Sequence, residues 1–174
     1  MKCICFGSEE IGLEGSKAFM RAHEGDKEKL LCMINLDVGG NLLGNTGVVV
    51  TATPGAEEYV KGILKEGGIF AKVRSSVMSS DSAVFSDYGV PSISFGSMTP
   101  RNGGYMHTRY DNMDMISADV LGEEVETLIY VAGRLSSAES FPIQKEISKE
   151  MQEQIIKYFG AGLSQTEKRR NEKK

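Results

Sequence analysis

The chain has 174 residues, of which 40% are hydrophobic and 25% are charged, and its formal net charge is −4 at pH 7. This length suffices for one domain with a hydrophobic core, and the mildly negative charge does not favour nucleic acid as a partner. The sequence has no apolar run of membrane-spanning length, and its first residues lack the pattern of a signal peptide. We therefore expect a globular domain with neither a nucleic-acid nor a membrane partner.

Predicted strands and helices alternate along the chain. Apolar or β-branched runs predict strands at 1–6, 30–37, 48–53, 69–73 and 90–95. Apolar residues at helical spacing predict helices at 12–23, 57–66, 82–88, 117–135 and 143–159. This order indicates a three-layer α/β fold with a mostly parallel central sheet. We place this domain at 1–160 and predict a disordered polar tail at 161–174, where apolar residues are almost absent.

The cysteines bear on the cellular compartment. Cys3, Cys5 and Cys32 all lie in apolar, strand-like stretches, which predicts buried, reduced thiols. Free thiols favour a reducing compartment such as the cytoplasm. Cys3 and Cys5 also suggest half of a metal site, but a Cys-x-Cys pair alone does not have the spacing of zinc ligands.

Candidate functional residues follow predicted strands. Glu9 and Glu10 come after the first predicted strand, and Asp37 ends the second. His107 lies in a loop after the last predicted strand, whereas His23 ends a helix, which suits a solvated or dipole-stabilised role. Ligands bind at the carboxyl ends of strands in α/β sheets, so these carboxylates and the His107 imidazole would meet at one edge and suit zinc. Each also has a simpler explanation, because acidic residues favour helix starts and Asp begins turns.

Several short motifs resemble the di-zinc aminopeptidases of metallopeptidase family 28. They are Phe-Gly-Ser-Glu-Glu-Ile-Gly-Leu-Glu-Gly-Ser at 6–16, Ile-Asn-Leu-Asp at 34–37, Ser-Asp at 80–81, Gly-Val-Pro at 89–91, and His107-Thr followed by Asp111. They occur in the order found in that family and extend from about residue 5 to residue 135. The resemblance implies a phosphorylase/hydrolase-like zinc exopeptidase fold and hydrolysis of the N-terminal residue of peptides.

The resemblance also assigns roles to residues. Glu9 matches the general base, Glu10 and His107 match ligands of one zinc, and Asp37 matches a ligand of the second zinc. The family pattern also implies supporting or substrate-contacting roles for Ser80, Asp81, Tyr105 and Asp111.

The sequence departs from the family in one respect. The family has a His-x-Asp motif and an Asp that bridges both metals, and both precede the Glu-Glu block. Neither occurs in this chain. We therefore expect the C-terminal part of a catalytic domain, with an incomplete two-zinc site and little or no activity. Loss of the preceding strands would expose a sheet edge, through which the chain would form a homo-oligomer.

Two other functions stay open. Relatives of such enzymes can lose catalysis and act as peptidase-like binding domains. Glutaminyl cyclases share the fold, so a cyclising acyltransferase is a further alternative, which we rank below the aminopeptidase.

Overall fold

A computed structural model describes residues 1–98, 106–160 and 162–172 of the chain. The strands are β1 (Met33–Leu36), β2 (Asn45–Thr51), β3 (Lys72–Ser75) and β4 (Ser92–Met98). The helices are α1 (Glu14–Ala22), α2 (Pro54–Glu66), α3 (Asp81–Asp87), α4 (Ala118–Ser136), α5 (Lys149–Phe159) and α6 (Gln165–Glu172), and short 3-10 turns occupy Glu24–Lys29 and Met113–Met115. Within the described residues, no helix is both long enough and apolar enough to cross a bilayer.

The strands form one sheet in the order β1-β4-β2-β3. β1 pairs with β4 and β2 pairs with β3 in parallel, whereas the central β2 and β4 run antiparallel. This arrangement confirms the predicted α/β fold with a mostly parallel sheet. β1 and β3 are the outer strands of the sheet in the described part of the chain, and association through a sheet edge stays a prediction.

Helices cover both faces of the sheet. Val48 and Val50 of β2 and Phe95 of β4 are fully buried on one face, where they pack with residues of α2 and α4. On the other face, the hydroxyl groups of Ser92 and Ser94 contact α3. α3 packs in turn against α1 in a second apolar cluster. The sheet is therefore the middle of three layers.

Local sequence signals account for most element ends. Pro54 occupies the first turn of α2, where its missing N–H is not needed. Ser117 caps α4, because its Oγ accepts a hydrogen bond of 3.3 Å from the Val120 N–H. α5 begins later than predicted because Ser148 caps it at Lys149, and the preceding Ile147 is buried before the helix starts.

The first residues do not form the predicted strand. Residues 1–6 have no strand partner among the described residues, and Met1 to Cys5 are exposed. A strand is stable only when a neighbour satisfies its backbone groups, so an apolar run alone does not produce one. The prediction of buried thiols is accordingly wrong for Cys3 and Cys5, while Cys32 is partly buried.

The polar C-terminal residues differ from the predicted disordered tail. Gln165–Glu172 form α6, and Ser164 and Thr166 are buried beside α3. The Asp87 carboxylate accepts hydrogen bonds from the Ser164 hydroxyl (2.6 Å) and from the backbone N–H groups of Gln165 (2.8 Å) and Thr166 (3.0 Å). Composition alone predicted disorder because it does not reveal this anchor, which is a single carboxylate distant in the sequence. That carboxylate accepts hydrogen bonds from N–H groups of the first turn of the helix, which otherwise lack partners.

Candidate active site

A tight turn presents Asp37 at the carboxyl end of β1. The Asp37 N–H donates to the Phe95 carbonyl at 3.0 Å, and the Ser97 N–H donates to the Val38 carbonyl at 3.0 Å. Val38 adopts a left-handed φ of 56°. The turn lies so close to β4 that a side chain at Gly96 would collide with the Asp37 carbonyl oxygen. Asp37 is therefore fixed by β4 and by its own strand.

A second tight turn presents Glu9 and Glu10 before α1. The Glu9 carbonyl accepts hydrogen bonds from the N–H groups of Gly12 (3.0 Å) and Leu13 (2.8 Å). Ser8 and Leu13 have φ values of 60° and 61°, and the Leu13 side chain is buried. The Glu-Glu pair thus stands on a strained turn anchored by one apolar side chain.

His107 lies next to this turn. Its Nδ1 is 3.8 Å from Oε2 of Glu10, and the two side chains are 65% and 73% exposed. The His107 backbone has a φ of 62°, and its N–H donates to Oδ2 of Asp111 at 3.3 Å. Asp111 therefore holds the turn that carries the imidazole. Tyr105, the predicted substrate-contacting residue, lies outside the described residues.

Asp81 is the first residue of α3, and its charge acts on both Glu9 and Asp37. It is 9% exposed, and its Oδ1 is inaccessible and has no hydrogen-bond partner. Its neighbour Ser80 is held by a buried chain of side-chain hydrogen bonds, from Asn35 Nδ2 to Ser80 Oγ (3.1 Å) and between the Ser80 and Ser82 hydroxyls (2.8 Å). Ser94 of β4 donates to Ser82 at 2.7 Å. The position of Asp81 therefore depends on both β1 and β4.

Glu9, Glu10, Asp37 and Asp81 form what we call the acidic cluster. Burial raises the pKa of Glu9, and the charges of Asp37, Glu10 and Asp81 raise it further, while His107 acts in the opposite direction. Burial likewise raises the pKa of Asp37; a hydrogen bond from the Val38 backbone opposes this, and Asp81 and Glu10 add to it. The neighbouring negative charges thus disfavour the ionised forms of Glu9 and Asp37, which favours a bound proton or a nearby cation at these two groups.

The donor chemistry of the acidic cluster together with His107 suits zinc, but the number of donors that converge on one point does not. Carboxylate oxygen and imidazole nitrogen are common zinc ligands, and a catalytic zinc ordinarily has three protein ligands. Across residues 1–98, 106–160 and 162–172, no group of three His, Cys, Asp or Glu side chains is arranged to hold a metal ion. The described residues therefore do not make a complete zinc site by themselves.

His23, the other histidine, is outside this site. Its ring stacks on Phe19 with 4.2 Å between centroids, and its Nδ1 lies 2.8 Å from the Phe19 carbonyl oxygen. These contacts place His23 at the C-terminal end of α1, where the sequence predicted it.

Sequence reasoning missed Glu124, a fully buried carboxylate in α4. It contacts the backbone of the turn that follows Asp37. The available signal was its spacing: Glu124 is four residues from both Val120 and Leu128, on the apolar stripe of the helix. A charged residue on such a stripe indicates a buried polar contact.

The sequence model described as "Peptidase family M28" matches residues 1–132. The chain belongs to peptidase family M28. This confirms the resemblance carried by the Glu-Glu, Asp37, Ser80-Asp81 and His107 motifs. A comparison with curated proteins finds no matching relative.

Solved structures share the M28 fold of this chain. A zinc aminopeptidase from Bacillus subtilis is 24% identical, with a TM-score of 0.61 over 83% of this chain and 38% of its own. A peptidase M28 precursor from Shewanella amazonensis SB2B is 20% identical, with a TM-score of 0.64 over 83% of this chain and 33% of its own. A glutaminyl cyclase from Porphyromonas gingivalis is 23% identical, with a TM-score of 0.54 over 75% and 51%. The chain thus spans a third to a half of the length of these structures.

Proposed function

We propose that this chain is part of a metal-dependent aminopeptidase that removes N-terminal residues from peptides. The observation that carries the proposal is the Glu9-Glu10 turn in a chain of family M28, with Glu10 Oε2 3.8 Å from His107 Nδ1. In this proposal Glu10 and His107 bind one zinc ion and Asp37 binds a second. Since three donors do not converge among the described residues, both ions need ligands besides these.

Glu9 is the proposed general base. It takes a proton from the attacking water and delivers it to the leaving amino group of the cleaved peptide. Burial and the neighbouring carboxylates raise its pKa, which moves it toward the range in which a carboxyl group exchanges protons near neutral pH. The charge of Asp81 contributes to this rise in the Glu9 pKa.

The first experiment tests the role of Glu9 in the longest form of the protein that hydrolyses an aminoacyl-p-nitroanilide. Glu9→Gln keeps the shape of the side chain but cannot accept the proton, so we expect turnover to fall about 100-fold or more. Zinc content, measured by atomic emission, should stay unchanged. Glu10→Gln should instead lower zinc content, because it removes a proposed ligand.

Glu14→Gln is the matched control, since Glu14 is an exposed carboxylate only one turn further along the chain. It should change neither turnover nor zinc content. If Glu9→Gln lowered the zinc content of the protein instead of its turnover, the roles assigned to Glu9 and Glu10 would be reversed. The 174-residue chain alone should bind zinc weakly and show little turnover, and tight binding of two ions with turnover would contradict the expected incomplete site.

Cyclisation of N-terminal glutamine is a second candidate, supported by the fold shared with the P. gingivalis glutaminyl cyclase. An aminopeptidase releases a free amino acid from a glutaminyl peptide, whereas a cyclase releases ammonia and leaves the peptide bond intact. The same substrate therefore separates the two reactions. Neither product in the longest form, with peptide binding retained, would favour a non-catalytic binding domain.

A further inference from the structure

Glu124 is a fully buried carboxylate on α4, with an exposed fraction of 0%. Its Oε2 accepts a hydrogen bond of 2.7 Å from the Gly40 N–H, and its Oε1 accepts one of 2.6 Å from the Ser97 hydroxyl. The Ser97 oxygen in turn accepts a hydrogen bond of 2.9 Å from the Asn41 N–H. A buried carboxylate is costly unless such donors satisfy it, so these contacts are the reason the group is tolerated there.

The same carboxylate lies where two site-bearing segments meet. Gly40 and Asn41 belong to the turn that follows Asp37. The Gly40 carbonyl accepts a hydrogen bond of 2.8 Å from the Ser117 N–H, and Asn41 forms an antiparallel bridge with Ile116. Ile116 and Ser117 end the segment that begins with His107. Glu124 is thus in direct contact with the turn that follows Asp37. The Gly40 residue that it contacts is in turn hydrogen-bonded to Ser117, at the end of the His107 segment.

The local backbone is shaped to reach this carboxylate. A Cβ at Gly39 would lie 3.2 Å from Oε2 of Glu124 and 3.0 Å from Cδ1 of Leu121, so only a glycine fits without displacement. Gly40 has a left-handed φ of 79°, and its N–H donates to the carboxylate. The close approach and the left-handed turn make this one specific geometry instead of a general packing contact.

We propose that Glu124 is a positioning residue that fixes the Asp37 turn and the end of the His107 segment relative to each other. It acts through the Gly40 peptide and Ser97 and touches no reacting group. Its relevance to catalysis rests on the proposed function, whereas its effect on the two segments does not. Removing the carboxylate loosens both segments together while the core of β2 and α2 keeps its packing.

The test measures backbone amide exchange by NMR in the 174-residue chain. Glu124→Met retains the volume and apolar stem but has no acceptor for Gly40. We expect exchange at Gly40, Asn41 and Ser117 to accelerate at least about tenfold beyond the change at Val49 and Val60, which report the core. The backbone contact between Asn41 and Ile116 should weaken in the same spectra.

Two further variants make the interpretation specific. Glu124→Gln keeps one carbonyl oxygen for the Gly40 N–H, so it should restore slow exchange at Gly40 to within about threefold of the wild type. Glu126→Met is the matched control, because Glu126 is an exposed carboxylate on the same helix. Amide exchange at Gly40, Asn41 and Ser117 in this variant should equal that of the wild type. If Glu124→Met does not fold, Ser97→Ala decides, since it removes only the hydroxyl that links Glu124 to Asn41.

The proposal fails if Gly40, Asn41 and Ser117 accelerate no more than the core amides, because that pattern means general destabilisation. It also fails if only Gly40 responds while Ser117 and the Asn41–Ile116 contact are unchanged. With Ser97→Ala, unchanged exchange at Asn41 would overturn it. None of these measurements needs zinc or turnover. Absence of peptidase activity in the longest form of the protein would therefore refute the proposed function and leave this inference standing.

Discussion

At the scale of residues, the protonation of Glu9 and Asp37 is linked to the folding stability of the chain. Burial raises the pKa of both carboxyl groups, and neighbouring carboxylates add to the effect. A folded-state pKa above the unfolded value means that the folded chain holds the proton more tightly. The resulting stability is complete below the ordinary carboxyl pKa and is lost as pH rises through the folded-state pKa.

Asp37→Asn should therefore stabilise the chain more at pH 7 than at pH 4. The amide cannot ionise, so it avoids the cost of a half-buried negative charge beside Asp81 and Glu10. Urea unfolding at the two pH values, without added metal, measures the difference in free energy of unfolding. Asp114→Asn is the control, since Asp114 is an exposed carboxyl outside the acidic cluster. An Asp37→Asn effect of equal size at both pH values would contradict the argument.

The cysteines allow a second prediction at this scale. Burial raises the pKa of the Cys32 thiol to about 12, so almost none of it is thiolate at neutral pH. Cys3 and Cys5 are exposed. In the native chain at pH 8, Ellman's reagent should modify Cys3 and Cys5 rapidly and Cys32 only after unfolding, as read by mass spectrometry of peptides. Rapid modification of Cys32 in the folded chain would show that the segment leading into β1 opens readily.

Residue identity alone predicted part of the site. The carboxylate doublet and the imidazole were expected to meet because each follows a probable strand, and Glu10 and His107 do lie 3.8 Å apart. Their roles as zinc ligands stay predictions. Glu124 was not predictable as a site-supporting residue, because its partners Gly40 and Ser97 are distant in sequence and come together only in the folded chain.

At the scale of elements, the sequence predicted internal helices better than the structure at either end of the chain. α2 and α4 carry local signals, namely an apolar stripe with Pro54 at one start and Ser117 at the other. Residues 1–6 have strand composition but no strand partner within 1–98, 106–160 and 162–172. Pairing is a nonlocal property that composition does not encode. α6 is the opposite case, since its polar sequence has little tendency to fold alone and depends on a distant carboxylate.

Asp87→Ala should release α6. The substitution removes an acceptor used by Ser164, Gln165 and Thr166, at an expected cost of about 1–3 kcal/mol to the docking of this helix. Trypsin should then cut faster after Lys168 and Arg169, as measured by the time course of peptide release. Glu153→Ala, an exposed carboxylate on α5, should leave cleavage at these sites unchanged. Equal cleavage rates in Asp87→Ala and the wild type would mean that α6 is held by other contacts.

At the scale of the whole molecule, the segment beyond the family match is part of the fold. The M28 match ends at residue 132, and α5 and α6 follow it. Met151 and Ile155 of α5 pack against Val77, and the Tyr158 and Ser79 hydroxyls are 2.8 Å apart. Val77 and Ser79 lie in the loop that leads to Asp81. α5 therefore packs against the loop that leads to Asp81, a contact that motif comparison alone would not reveal.

The left-handed residues of this chain have a consequence for engineering. Among the residues that the structure describes, the non-glycine positions with positive φ are Ser8, Leu13, Val38 and His107. Ser8 and Val38 are next to Glu9 and Asp37 in the sequence, and His107 is itself a candidate site residue. The Leu13 N–H donates to the Glu9 carbonyl at 2.8 Å. Such conformations cost of order 1 kcal/mol or more apiece, so the fold tolerates its least comfortable backbone where chemistry is expected. Substitutions that removed the strain at these four positions would raise thermal stability. They would also change the orientation of the candidate site side chains that these turns carry.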